Sequence, residues 1–199
     1  MNLVTKSAID FLAPAVLPDG KIIENFCLRE YIKDKYAILL FYPLNFTFVC
    51  PTELIALNNR ISEFAQRDVE VIGISVDSQF SHLKWQETPV NEGGIGKISY
   101  SLISDITKSI SRNYGVLYND AIALRATFII DTKFMIRHQS INDLPIGRNI
   151  DEMIRLIDAL IFHTQYGEVC PAGWNRGQPA IQPSNAGISD YLNSHCEEL

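Results

Sequence analysis

Long apolar runs are absent from this 199-residue chain: the longest unbroken one, YAILLFY at 36–42, has seven residues. A helix that crosses a bilayer needs roughly 20. Basic residues are scarce as well. With 17 Lys+Arg against 23 Asp+Glu the formal charge is −6, which argues against a nucleic-acid partner, because that surface needs a basic stripe to neutralise phosphates. Only four cysteines occur, Cys27, Cys50, Cys170 and Cys196, and no two form a CxxC pair. Such wide spacing fits neither a zinc finger nor a dense disulfide scaffold. It suits a cytoplasmic setting, where a thiol that matters is reactive rather than structural. The histidines (His82, His138, His163 and His195) lack ligand spacing such as HxxxH, so no metal site is expected. There is no internal repeat and no low-complexity run. The apolar stretch 11–17 makes a poor secretion leader, since Asp10 and Pro14 interrupt it and Lys6 is its only basic residue.

What remains is an ordinary globular composition, 47% hydrophobic and 20% charged. Residues 37–44 (AILLFYPL) and 69–77 (VEVIGISVD) read as strands covered on both faces, because they lack alternation. Residues 126–131 (ATFIID) predict a third strand. Residues 134–141 (FMIRHQSI) predict a fourth, with the turn at 131–133 between them. Helices are predicted over 51–67, with Leu54, Leu57, Ile61 and Phe64 on one face, and over 150–166, with Ile150, Met153, Ile154, Ile157, Leu160 and Ile161. A shorter one spans 107–114 and ends at Gly115. Strands alternating with helices and then a strand pair give an α/β class with a central mixed sheet flanked by helices. The texture changes after 166. The 21 residues 167–187 hold four Gly and three Pro, which reads as an extended C-terminal arm (167–199) on a domain of residues 1–166. Its Trp174 and its Ile188, Tyr191 and Leu192 require a docking surface.

The most informative segment is FYPLNFTFVCP at 41–51. A central strand ends there and a helix begins near Pro51, which suits a first helical turn. That crevice outside the strand's carboxyl end is the preferred ligand site of open α/β sheets. Cys50 therefore sits where free N–H groups and the helix dipole favour an anion. A thiol in that position is expected to titrate below its reference of about 8.5, in a range of roughly 3.5 to 7.5, and thiolate is the nucleophilic form. Thr47 can donate its hydroxyl to the same sulfur or to a substrate oxygen. Helix position alone leaves a buried structural cysteine equally compatible.

The full pattern Pro43-x-x-x-Thr47-x-x-Cys50 resembles the active-site signature of the peroxiredoxins, and FYPLNFTFVCPTE resembles the typical two-cysteine group. That group includes the small subunit of bacterial alkyl hydroperoxide reductase. The resemblance continues through Val76-Asp77-Ser78, His82-Leu83-Lys84-Trp85, Gly93-Gly94-Ile95-Gly96, Ser104-Asp105, Leu124-Arg125-Ala126, Gly147-Arg148 and Glu168-Val169-Cys170-Pro171-Ala172-x-Trp174, so it spans the chain. It implies a thioredoxin-like fold and a thiol-dependent peroxidase acting on hydrogen peroxide and organic hydroperoxides, with no cofactor.

The same resemblance implies a role for each site residue. Cys50 would attack the peroxide and leave as a sulfenic acid, and Cys170 would resolve it as an intersubunit disulfide. Thr47 would hydrogen-bond thiolate and substrate, and Pro43 would shield the sulfenic acid. Arg125 would stabilise developing charge, held by Glu53 and Arg148; taken alone, those two read as solvated surface charges. Tyr42 and Trp85 match aromatic wall positions that a core role explains equally well. Asn45 departs from the family's usual Asp. Cys27 reads as a core residue and Cys196 as an exposed thiol without a role. The GGIG cluster at 93–96 resembles a loop that, with a Tyr-Phe pair in the last helix, slows the opening needed for disulfide formation. Here the tail reads Tyr191-Leu192, which implies weaker overoxidation. Expected partners are peroxides, thioredoxin or a flavoprotein disulfide reductase, and a second copy paired through the edge at 134–141, with dimers assembling into a decamer. No nucleic acid and no membrane are expected. A thioredoxin-type disulfide oxidoreductase is disfavoured by the missing CxxC. A redox-regulated holdase or peroxide sensor using the same thiols is the alternative.

Overall fold

A computed structural model describes residues 1–198. Contacts divide the chain into two units at Arg148/Asn149, so the long helix over 150–166 groups with the C-terminal arm.

The first unit is built on nine strands: β1 (Leu12–Val16), β2 (Ile22–Cys27), β3 (Tyr36–Phe41), β4 (Val69–Ser75), β5 (Ser101–Ser104), β6 (Leu117–Tyr118), β7 (Ile122–Ala123), β8 (Arg125–Ile130) and β9 (Ile136–Asn142). Its helices are α1 (Leu28–Tyr31), α2 (Cys50–Asn59), α3 (Ile61–Ala65), α4 (Gln79–Glu87) and α5 (Ser109–Asn113). Seven strands form one mixed sheet in the order β2-β1-β5-β4-β3-β8-β9, with β3–β4 and β4–β5 parallel and the other pairs antiparallel. This is the thioredoxin-like arrangement. The expected continuous apolar strands are its centre: every residue of β8 is buried and five of the six in β3. Residues 11–17 contribute β1, an inner strand.

Several boundaries moved, each for a local reason. β3 stops at Phe41 rather than Leu44, because Pro43 has no N–H for a ladder and the chain turns into the loop before α2. The helix expected over 51–67 begins at Cys50 and breaks at Arg60. Asn58 and Asn59 are weak helix formers, and the Asn58 Oδ1 accepts the N–H of Ser99 at 2.7 Å instead of lying free on the helix surface. β9 starts two residues late because Phe134 takes a left-handed φ of 62° in the preceding turn. There the Asp131 carboxylate accepts the N–H groups of Lys133 and Met135. α5 starts at Ser109 because Lys108 is left-handed, and the buried Asp105 accepts the N–H groups of Ile110 and Ser111.

The topology also places the site. Because β8 runs antiparallel to β3, the first residue of β8, Arg125, lies at the carboxyl end of β3, where α2 begins.

The second unit holds α6 (Ile150–Tyr166) and α7 (Asn185–His195). Asn149 caps α6 by accepting the N–H groups of Asp151 and Glu152, and Gly167 closes it with a φ of 74°. Only part of the arm docks within this unit: α7 buries none of its residues, and Ile188 and Leu192 stay exposed. Trp174 is buried, its ring 4.9 Å from that of Phe162, and the Arg155 guanidinium donates to its carbonyl at 3.1 Å.

Candidate active site

Cys50 is the first residue of α2 and fully buried. No side chain caps that terminus, so the first-turn N–H groups of α2 have no side-chain acceptor. Arg125 supplies a donor to the sulfur: its Nη1 lies 3.3 Å from Cys50 Sγ and 2.8 Å from Glu53 Oε2, while its Nε donates to the Leu144 carbonyl at 2.7 Å.

Glu53, one turn along α2, is the hinge of this cluster. Its carboxylate accepts four bonds, from Arg125 Nη1 and from the backbone N–H, Nε and Nη2 of Arg148, all within 2.8–2.9 Å. Burial raises the Glu53 carboxyl, but the hydrogen bonds and charge of Arg148, with the charge of Arg125, outweigh it and hold it below its ordinary value. Arg148 in turn donates through Nη1 to the carbonyls of Phe41 and Ala126, at 2.8 Å each, which ties the cluster to the ends of β3 and β8. None of these charged side chains is more than 5% exposed. Each is paired, as a buried charge must be.

A groove of about 490 Å³ opens beside the cluster, lined by Pro43, Leu44, Thr47, Phe48, Arg125 and Leu144 among others. Its walls are largely apolar, and Phe48 at its rim is 93% exposed. Thr47 differs from the expectation that it donates to the sulfur. Its hydroxyl donates to the Leu44 carbonyl at 3.0 Å, so it offers lone pairs to whatever occupies the groove.

Tyr42 and Trp85 are both fully buried. Their rings lie 6.0 Å apart, and Phe46 sits 5.8 Å from Trp85. Trp85 Nε1 donates to the Gly93 carbonyl, so it fastens the GGIG loop to α4. Gly94 is obligatory there, since a Cβ would fall 1.9 Å from the Thr88 carbonyl oxygen.

The sequence reasoning passed over a buried polar network on the other side of the loop. Tyr42, Asn45, Ser75, Asp77, Ser81 and His82 interlock there. The segment Val76-Asp77-Ser78 and His82 signal it only weakly, through polar residues where an apolar strand ends.

In the second unit Cys170 is half-buried, its thiol donating to the Ala159 carbonyl at 3.6 Å. Burial pushes this thiol up, against the lowering charge of Arg155. Cys27 is not the core residue expected: at the end of β2 it is partly exposed, 3.9 Å from the Asp10 carboxylate. All four cysteines are free thiols, and Cys196 is exposed.

Residues 4–139 match the AhpC/TSA family, and residues 159–194 match the C-terminal domain of 1-Cys peroxiredoxin. The chain is 49% identical over 197 residues to alkyl hydroperoxide reductase C of Helicobacter pylori, covering 99% of this chain and 100% of the relative. It is 49% identical over 193 residues to peroxiredoxin-2 of Mus musculus, covering 96% of each. The reduced 2-Cys peroxiredoxin of Plasmodium vivax superposes with a TM-score of 0.94 at 47% identity, over 97% of this chain and 100% of that one.

Proposed function

The chain belongs to the AhpC/TSA family and is a thiol peroxidase, and from that premise we propose that Cys50 is its nucleophile and Cys170 its resolving thiol. The observation that carries this reading is the Arg125 guanidinium 3.3 Å from a fully buried sulfur at a helix N-terminus.

Charge balance gives the reason. Glu53, Arg125 and Arg148 together hold one carboxylate and two guanidiniums, and a Cys50 thiolate neutralises the surplus positive charge in a site that water does not screen. The thiolate attacks the terminal oxygen of a hydroperoxide in the groove. The S–O bond forms as the O–O bond breaks, leaving Cys50 as sulfenic acid and releasing water or an alcohol once the departing oxygen takes a proton. Negative charge on that oxygen is stabilised by Arg125, whose planar fork keeps its charge throughout. Thr47 accepts a hydrogen bond from the O–H of the incoming peroxide, which keeps its hydrogen as the sulfenic acid forms, and Pro43 walls the site from water. The Cys170 thiol then condenses with the sulfenic acid, forming a disulfide and expelling water. An external dithiol, thioredoxin or a flavoprotein disulfide reductase, restores both thiols.

The assembly reading rests on β9. It is an edge strand whose outer side the N-terminal segment bonds at Ile136, leaving the rest of the edge for a second copy across a two-fold axis. The disulfide then bridges two protomers, and dimers stack into a decameric ring. No helix among the described residues is long and apolar enough to cross a membrane, and we place the protein in the cytoplasm.

Stopped-flow peroxide consumption by wild type and by Cys50→Ser tests the reading. A rapid first phase in the wild type, absent from the variant, is expected; retention of that phase by Cys50→Ser would overturn it.

A further inference from the structure

The loop that carries the reaction is also pinned by a partly buried chain of hydrogen bonds that joins Tyr42 and Asn45 to His82, Ser81 and the Asp77 carboxylate. His82 is fully buried on α4, and its Nε2 lies 3.1 Å from the Ile103 carbonyl of β5. A carbonyl only accepts, so Nε2 carries the hydrogen. Burial keeps the ring neutral, lowering its pKa to about 4 against the opposing charge of Asp77. Nδ1 therefore holds a lone pair that needs a donor. The Asn45 amide Nδ2 is 3.1 Å away and also reaches Ser81 Oγ at 3.0 Å. The Tyr42 hydroxyl, 3.3 Å from Nδ1, donates at 3.0 Å to Asn45 Oδ1, which also lies 3.3 Å from Nδ1 and, as an acceptor, leaves the Asn45 amide hydrogen as the donor that Nδ1 meets. The N–H of Asn45 is itself taken by Asp77, which also accepts the Ser75 hydroxyl. Every element around His82 is thus named: Tyr42 after β3, Asn45 in the loop, Asp77 and Ser75 at the end of β4, Ile103 on β5 and Ser81 on α4.

The next residue supplies an independent observation. Phe46 has a φ of 53°, a left-handed conformation that side chains with a Cβ avoid. It is half-exposed and held by its contact with Trp85. The loop therefore carries backbone strain one residue beyond its anchor.

We propose that Asn45 is a positioning residue of this loop, its amide matching the neutral Nε2–H form of His82 and so keeping the segment 44–49 folded over Cys50 until the sulfenic acid has formed. This rests on the reading of Cys50 as nucleophile, because a fully buried sulfur reaches a second thiol only after the segment opens. A carboxylate at position 45 has no hydrogen for Nδ1. It fits only an imidazolium that donates from both nitrogens, so Asn45→Asp ties the loop's closure to the protonation of His82.

The imidazole nitrogens of the reduced wild type are read by NMR and assigned with His82→Gln; the neutral Nε2–H tautomer is expected at neutral pH. Resolution is then followed by tryptophan fluorescence, since Trp85 touches both Phe46 and Tyr42. Relative to wild type at each pH, which cancels the titration of Cys170, Asn45→Asp should resolve increasingly fast as pH rises through its shifted His82 titration. Asn45→Ala should resolve at least roughly fivefold faster at every pH, because it removes the side-chain bonds of Asn45 to Tyr42, Ser81 and His82 and the loss of a single such bond is already worth about that factor. Both should keep the first, peroxide-dependent phase. An Nδ1–H tautomer or an imidazolium in the wild type overturns the proposal, as does an Asn45→Ala rate equal to wild type. Loss of the first phase in the wild type would instead count against the nucleophile, and the two failures are distinct. If Asn45→Asp does not fold, the tautomer and Asn45→Ala still decide.

Discussion

Cys50 and Cys170 carry the same functional group in opposite surroundings. Cys50 is sealed at a helix N-terminus against a guanidinium that two further charges hold in place. Cys170 is half-buried in a glycine- and proline-rich arm, its thiol resting on a carbonyl and pushed up by burial. One sulfur faces a guanidinium donor, and burial holds the other in its protonated form. The difference matches the division of labour proposed above, in which the first thiol is the one oxidised and the second stays reduced until a sulfenic acid is presented to it.

The sharpest way to break that contrast is to remove Cys170. Cys170→Ser is expected to keep the first phase of peroxide consumption at its wild-type rate and to lose thioredoxin-linked turnover entirely; coupled reductase assays separate the two. Normal cycling would show that Cys170 is not the resolving residue.

The next largest effect lies on the Cys50 side. Arg125→Ala should slow the first phase by about 10²–10³-fold, as expected when a preorganised donor to developing charge is deleted. Arg125→Lys should recover little of it, because one ammonium cannot serve Cys50, Glu53 and the Leu144 carbonyl together. Single-turnover kinetics against peroxide concentration measure both.

Acid should expose the buried groups of the first unit. His82 is lowered from 6.5 to about 4, so between those values the unfolded chain binds the extra proton and stability falls as the pH drops. Glu53 acts at lower pH: its depressed carboxyl contributes stability above the ordinary carboxylate range, lost as pH falls through its folded value. Melting temperatures should therefore decline on acidification below 6.5, and His82→Gln should flatten the upper part of that decline. An equal slope in the variant contradicts the assignment.

The smallest effect concerns the arm. Leu192 on α7 is 41% exposed, and its neighbour Tyr191 stacks on His195 with ring centroids 4.6 Å apart. A Phe at 192 adds apolar surface worth about 1 kcal/mol if buried, a few-fold in opening. Leu192→Phe should therefore yield more Cys50 sulfinic acid across a peroxide titration, read by mass spectrometry. Superimposable curves would remove Leu192 from the account.

What was legible in the sequence follows from the physics of each region. β3, β4 and β8 announce themselves because strands buried on both faces are apolar without alternation. β1 and β2 do not, being short and interrupted, and α4 hides because the residues it buries are His82, Trp85 and Gln86 rather than an apolar stripe. Glu53, Arg125 and Arg148 were placed through resemblance, and the structure brings them into one cluster. The Asn45–His82 bond was not legible, since a buried polar pair has no periodicity to reveal it. The hydroxyl of Thr47 was misdirected for a similar reason: its partner, the Leu44 carbonyl, is backbone that the sequence does not distinguish.

The central claim is that one thiol is oxidised first and one other thiol receives it. Reduced protein is given an equimolar amount of hydrogen peroxide, alkylated, digested without reductant and mapped by mass spectrometry. The account predicts a single linkage joining the Cys50 and Cys170 peptides, with Cys27 and Cys196 recovered as free thiols. Oxidised Cys27 or Cys196 beside an unmodified Cys50 would contradict it.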